Sequence, residues 1–173
     1  MHLEKATACV PPGLPELLRE LGAGESGFGG TSFGRGDATL EDFLQSCRDG
    51  EDPAKIAPEF VPQTIFWIID DRGQAVGMIR MRHHLNQRLL QCGGHVGYYV
   101  RRAQRGKGYA KSALRLAVEE LKKLGVTRVL VTVSPMNVAS MHVALANGGI
   151  LDGQGKSPDS AEIVNRYWIE SSI

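Results

Sequence analysis

Residues 94–133 read GHVGYYVRRAQRGKGYAKSALRLAVEELKKLGVTRVLVTV. The spacing predicts a strand over 94–100, a basic glycine loop over 101–108, a helix from about 109 to 124 and a second strand over 128–133. In the helix, Ala110, Ala113, Leu114, Ala117, Leu121 and Leu124 recur on one face. Lys111, Arg115, Glu119 and Lys122 fall on the other, and Gly125 is the expected stop. Val129, Leu130, Val131 and Val133 suit a strand covered on both faces. Strand, crossover helix and strand are expected to make a right-handed parallel pair.

The loop Arg105-Gly106-Lys107-Gly108-Tyr109-Ala110 turns sharply and runs straight into the helix. Unpaired first-turn amides and the positive dipole end then face one point. Arg101, Arg102, Arg105, Lys107 and Lys111 surround it with cations, which predicts a polyphosphate site rather than a merely solvated face. A Rossmann site would want a third small residue where Lys111 stands and an acid ending the next strand, which ends Thr132-Val133-Ser134. A P-loop would want Lys-Ser/Thr after its last glycine, which Gly106-Lys107-Gly108 does not supply.

Outward from this unit, residues 14–21 predict an amphipathic helix opened by Pro15, and Thr39 with Asp42 opens a second carrying Leu40, Phe43 and Leu44. Between them, the glycine-rich residues 22–36 embed Phe28 and Phe33 and read either as a ligand-covering loop or as a surface connection. Residues 65–69 and 75–81 form a hairpin about Asp71-Arg72-Gly73. A helix over 138–146 ends at Asn147-Gly148-Gly149, and residues 150–151 and 163–169 are the last strands, joined by a polar loop. Trp67 and Trp168 read as core. The fold class is mixed α/β around one twisted, mostly antiparallel sheet with helices on both faces.

With 173 residues, one domain spanning 1–173 is expected. The net charge of +1 argues against a general nucleic-acid binder, and RNA binding through the basic loop is a weak rival. Cys9, Cys47 and Cys92 are an odd number without metal spacing, which points to a reduced, cytosolic setting. Residues 1–10 lack the apolar core of a signal peptide, and no apolar run approaches the roughly 20 residues of a membrane span. A metal site from His83, His84 and His95 lacks a completing acid or cysteine.

The run from Arg105 to Ala110 resembles the acetyl-coenzyme A signature of the GNAT acetyltransferase superfamily, Q/R-x-x-G-x-G/A after the fourth strand. Asn137 and Ser140 look like its Asn-x-x-Ala/Ser element, and the order of elements agrees over nearly the whole chain. Arg82-His83-His84-Leu85-Asn86 followed by Gly93-Gly94-His95-Val96-Gly97-Tyr98 is similar to a bacterial group of predicted acetyltransferases. The resemblance implies that the fourth and fifth strands splay apart and acetyl-CoA enters the gap. Backbone groups of Tyr98, Tyr99 and Val100 would then hold the pantetheine arm. Amides of Arg105, Gly106, Lys107, Gly108, Tyr109 and Ala110 would hold the pyrophosphate, with Asn137 and Ser140 on the far side. The implied activity is direct transfer of acetyl to a primary amine in a ternary complex; a non-catalytic acyl-CoA-binding module is the alternative.

His95 stands where many members carry a glutamate acting on the attacking amine. A histidine there could accept that proton, hydrogen-bond within the sheet, or bind substrate. The family's usual general acid, a tyrosine, is replaced here by Ala144, so protonation of the thiolate falls to Tyr98, Tyr99, water or nothing; His142 reads as helix surface. His83, His84 and Asn86 end the third strand, where such folds border the acceptor cleft; a solvated strand end is the other reading. A homodimer is a family expectation.

Overall fold

A computed structural model describes residues 1–7, 9–157 and 161–171. The elements run β1 (His2–Lys5), α1 (Leu14–Leu21), β2 (Gly24–Glu25), β3 (Phe28–Gly29), α2 (Ser32–Arg35), α3 (Leu40–Asp49), β4 (Gln63–Ile69) and β5 (Ala75–Arg82). They continue through α4 (Gln87–Gln91), β6 (Val96–Val100), a 3-10 turn (Arg102–Gln104), α5 (Tyr109–Lys123), β7 (Arg128–Val133), α6 (Val138–Leu145), β8 (Ile150–Lys156) and β9 (Ile163–Glu170). Within the polar loop between β8 and β9, positions 158–160 lie outside the described residues.

Period-two alternation in β4 divides the core. Ile65, Trp67 and Ile69 face a layer built from α1 and α3, while Ile68 faces one built from α5. In α1, Leu14, Leu17, Leu18 and Leu21 are all buried at one-face spacing. The Thr39–Asp42 capping box fixes the start of α3, as expected. Ala113, Leu114, Ala117 and Leu121 of α5 are wholly buried against the opposite face. Helices thus cover both faces of a mixed α/β, mostly antiparallel arrangement. None of the helices in the described residues is long and apolar enough to cross a membrane.

The sheet has two main parts, β1-β4-β5-β6 and β7-β9-β8, each antiparallel. The expected parallel pair of β6 and β7 forms no ladder. The strands meet at one end only, where the His95 N–H donates to the Leu130 carbonyl at 2.9 Å. A Cβ on Gly94 would lie 2.5 Å from that same carbonyl oxygen, so the approach demands glycine. Gly93 and Gly94 also have positive φ, so the strand begins at Val96 and not at residue 94. β1, the β2–β3 hairpin, α2 and α4 were not signalled. Each is five residues or fewer, too short to show a period.

Candidate active site

Beyond His95 the strands diverge, and the wedge between β6 and β7 opens into a cleft of about 450 Å³. One end reaches the loop and first turn of α5 (Arg105, Gly106, Gly108, Tyr109, Ala110), the other Phe28, Gly29 and Arg80. Two bonds set the phase of β6: Arg82 N–H to the His95 carbonyl at 2.8 Å, and Arg101 N–H to the Val76 carbonyl at 2.9 Å. In an antiparallel ladder backbone groups alternate sides. Gly97 and Tyr99 therefore turn their N–H and C=O toward β5, and Val96, Tyr98 and Val100 turn theirs into the cleft. The Val100 carbonyl confirms the phase, since it accepts from Arg105 Nε at 3.0 Å. Of the three residues expected to hold a ligand through their backbone, Tyr98 and Val100 turn theirs into the cleft. The Tyr99 backbone is committed to β5.

Gly106 and Gly108 have φ of 76° and 81°, the left-handed region, and nothing lies within 4 Å of a Cβ added at either. The loop is therefore open toward solvent and the cleft. Among the described residues, the amides of residues 106–111 donate to no acceptor in the protein. Six clustered, unpaired donors gather at the start of a 15-residue helix, an end whose backbone favours negative charge. The cations around it are less free than their number suggests. Arg101 is paired with Glu20 at 3.0 Å, and Glu25 takes Arg105 at 3.0 Å and Arg102 at 3.2 Å. Arg105, with Arg102 assisting, holds the Glu25 carboxyl below the usual carboxylate range. Lys107 donates to Gln104 at 2.8 Å, while Lys111 lines the cleft.

Glu20 fastens α1 to the end of β6. It accepts from the Tyr99 hydroxyl at 3.0 Å and the Arg102 amide at 2.8 Å. Burial pushes the Glu20 carboxyl up, but these donors and Arg101 outweigh it and leave it lowered. Burial and Glu20 together push Tyr99 up to about 12, so its side chain is a neutral strut.

Tyr98 points the other way, toward α6. Its hydroxyl is buried in the cleft without a good hydrogen bond, beside Ser140. Burial raises its pKa, with Ser140 acting in the opposite direction, so it keeps its proton at neutral pH. Asn137 lines the cleft and caps α6, its Oδ1 accepting the Ser140 N–H at 3.1 Å. That leaves its amide NH₂ for a ligand. Ala144 is wholly buried, with its carbonyl 2.7 Å from where a Cβ on Gly149 would sit. The helix is packed too closely there for a tyrosine.

His95 is 5 % exposed, and its Nδ1 accepts the Leu130 N–H at 2.9 Å. A neutral imidazole with Nδ1 as acceptor carries its hydrogen on Nε2, so neither nitrogen offers a lone pair for an amine's proton. Burial, then the charge of Arg82, pushes its pKa down to about 4. The expectation of a general base here gives way to the sheet-bonded reading: His95 pins the closed end of the wedge. Of the other expected substrate contacts, none lines the cleft. His83 Nε2 pairs with the Thr64 hydroxyl at 2.9 Å, and His84 is exposed. Asn86 caps α4 and donates to the Glu59 carbonyl at 3.1 Å. β5 ends at Arg82, so these three belong to a turn on the β4 side.

Phe28, from the glycine-rich stretch, and Arg80, which sequence reading did not single out, also line the cleft. Phe28 in the hairpin lies over β6, its ring 3.2 Å from a Cβ built on Gly97, which favours a covering role for the glycine-rich loop. Arg80 is the lone charge inside the otherwise apolar run AVGMIRM, a signal that could have marked it. Trp67 is core, whereas Trp168 is half-buried and donates to Asp152 at 3.0 Å.

A family model described as the acetyltransferase (GNAT) domain matches residues 33–150. No curated protein matches the chain. Among solved structures it is similar to a spermidine N-acetyltransferase chimera between the Vibrio cholerae enzyme and a hSSAT segment. The TM-score is 0.64 at 12% identity, over 98% of this chain and 95% of that one. A ribosomal-protein-S5-alanine acetyltransferase from Vibrio fischeri aligns at TM-score 0.56 and 18% identity, over 76% and 70%. RimJ from Mycobacterium smegmatis, in complex with CoA-disulfide, aligns at 0.57 and 18%, over 80% and 65%. At these identities the likeness is one of fold.

Proposed function

The chain belongs to the acetyltransferase (GNAT) family, and on that premise we propose that it moves acetyl from acetyl-CoA directly to a primary amine in a ternary complex. One observation carries this most: a wedge between β6 and β7 that runs into six unsatisfied amides at the α5 terminus. A strand-like arm with a pyrophosphate at one end matches that shape and donor set. Amides of residues 106–111 hold the pyrophosphate, and Tyr98, Val100 and Asn137 hold the arm. When bound, acetyl-CoA supplies the thioester.

The Tyr98 amide, turned into the cleft by the phase of β6, is the donor for the thioester carbonyl as negative charge develops on it. The Tyr98 side chain is assigned as proton donor to the thiolate as the C–S bond breaks, because its hydroxyl is buried, keeps its proton and has only Ser140 beside it; solvent returns the proton afterwards. Tyr98 takes the place that Ala144 cannot fill. His95 is not assigned proton removal; the attacking amine loses its proton to solvent at the open side of the cleft. The non-catalytic alternative rests only on the absent tyrosine at Ala144, and Tyr98 answers it. Thiol release from acetyl-CoA across an amine panel tests the reading. Amine-dependent release above hydrolysis supports it, and tight acetyl-CoA binding without any amine-dependent release refutes it.

A further inference from the structure

Arg80 is where the cleft departs most from what a folded chain needs for itself. It sits in the middle of β5, opposite Gly97 of β6, and lines the end of the cleft away from the α5 loop. Paired residues of an antiparallel ladder share a face, so Arg80 and Gly97 both look toward the β2–β3 hairpin. Its Nε is buried with no hydrogen-bond partner. Its guanidinium lies 5.0 Å from the centre of the Phe28 ring, a contact that offers no acceptor for its N–H groups.

Two carboxylates line the same cleft. Glu25 is bonded to Arg102 and Arg105, and a Glu162 oxygen lies by Gly27. Among the described residues, no carboxylate oxygen comes within 4.0 Å of Arg80. The neighbouring Cys47 thiol, pushed up to about 12 by burial, stays neutral and gives no counter-charge. The next arginine on the strand, Arg82, differs in this respect, since its Nη1 donates to the Gly93 and Gly94 carbonyls at 2.9 Å. Arg82 is spent on the turn that starts β6; Arg80 meets the Phe28 ring but, among the described residues, no hydrogen-bond acceptor. A half-buried cation whose Nε is shut away from water without an acceptor is costly, and a guanidinium is shaped to take a planar oxyanion through two N–H groups.

We propose that Arg80 anchors a carboxylate on the acceptor, so that the amine acetylated here belongs to a zwitterionic or acidic small molecule of the amino-acid class. The inference rests on the acetyltransferase reading above. In this arrangement the carboxylate lies under Phe28, one strand away from the gap. The amine of the same molecule faces the Tyr98 end of the wedge. A polyamine would bring positive charge against the Arg80 guanidinium and is disfavoured for the same reason.

The test uses wild-type protein, acetyl-CoA and matched amines: α- and short ω-amino acids, each beside its own carboxamide, with spermidine as the polycation. Loss of the carboxylate is expected to lower kcat/KM by about tenfold or more, and spermidine is expected to be poorer still. Arg80→Gln is expected to abolish the preference for acid over amide, chiefly through KM, while acetyl-CoA still raises its melting temperature as in wild type. That retained shift also shows that the variant folds. Equal use of acids and carboxamides by wild type, or an undiminished preference in Arg80→Gln, overturns the Arg80 proposal and leaves the acetyltransferase reading standing. Absence of amine-dependent thiol release with every compound overturns both. If Arg80→Gln fails to fold, the acid-against-amide comparison on wild type decides alone.

Discussion

Protonating His95 must break one of its two bonds to Leu130, because Nδ1 cannot hold a proton and accept the Leu130 N–H together. The folded pKa is about 4 against 6.5 for the free side chain. Above 6.5 both states are neutral, and below 4 both are protonated. Between the two, the unfolded chain binds a proton that the folded one does not, so stability falls as pH falls. Linkage puts the loss from His95 at about 2 kcal/mol by pH 5 and about 3 kcal/mol by pH 4. Other groups titrate there too, so the measurement is a difference between wild type and His95→Asn. Asparagine keeps an acceptor near the Nδ1 position and does not titrate. Urea unfolding at pH 7, 6 and 5, followed by tryptophan fluorescence, gives each free energy. Wild type is expected to be the more stable at pH 7 through the packing of its ring, and that advantage shrinks by about 2 kcal/mol at pH 5. A difference that stays constant with pH refutes the acceptor role, and a histidine limb near 6.5 in the pH–rate profile would restore His95 as a base.

Tyr98→Phe is expected to lower kcat by about a hundredfold with acetyl-CoA affinity unchanged. Removing an unpaired buried hydroxyl should raise stability by up to about 1 kcal/mol, and steady-state kinetics beside thermal melts check both. Asn137→Ala removes a helix cap and a cleft contact together. It should cost about 1 kcal/mol without ligand and weaken acetyl-CoA binding as well, read by melts and calorimetry. Gly108→Asp has room for its side chain but places a negative charge at the α5 amides. The acetyl-CoA dissociation constant should rise by about tenfold or more, and an unchanged thermal shift would remove the pyrophosphate from this loop.

The helix α5 and the strand after it were legible in the sequence, while the lack of a parallel ladder between β6 and β7 was not. Periodicity in α5 is strong, the glycine loop joins the helix directly, and both are local properties of neighbouring residues. The capping box of α3, the leucine face of α1 and the unpaired amides at the start of α5 were legible too, because amides at a helix start are unpaired whatever the rest of the chain does. Tertiary structure decided everything that depends on which atoms meet across long separations. Arg101, Arg102 and Arg105 read as free phosphate ligands until Glu20 and Glu25, some 80 positions earlier, are seen to pair with them. His95 reads as a base until Leu130 takes its lone pair, and His83 reads as a substrate contact until Thr64 takes its ring. A side chain's role follows from its partners, and partners in a sheet are chosen by register, which strand patterns leave open. Arg80 shows the converse: a single charge in an apolar strand is visible in the sequence, but only the fold shows that no carboxylate among the described residues answers it.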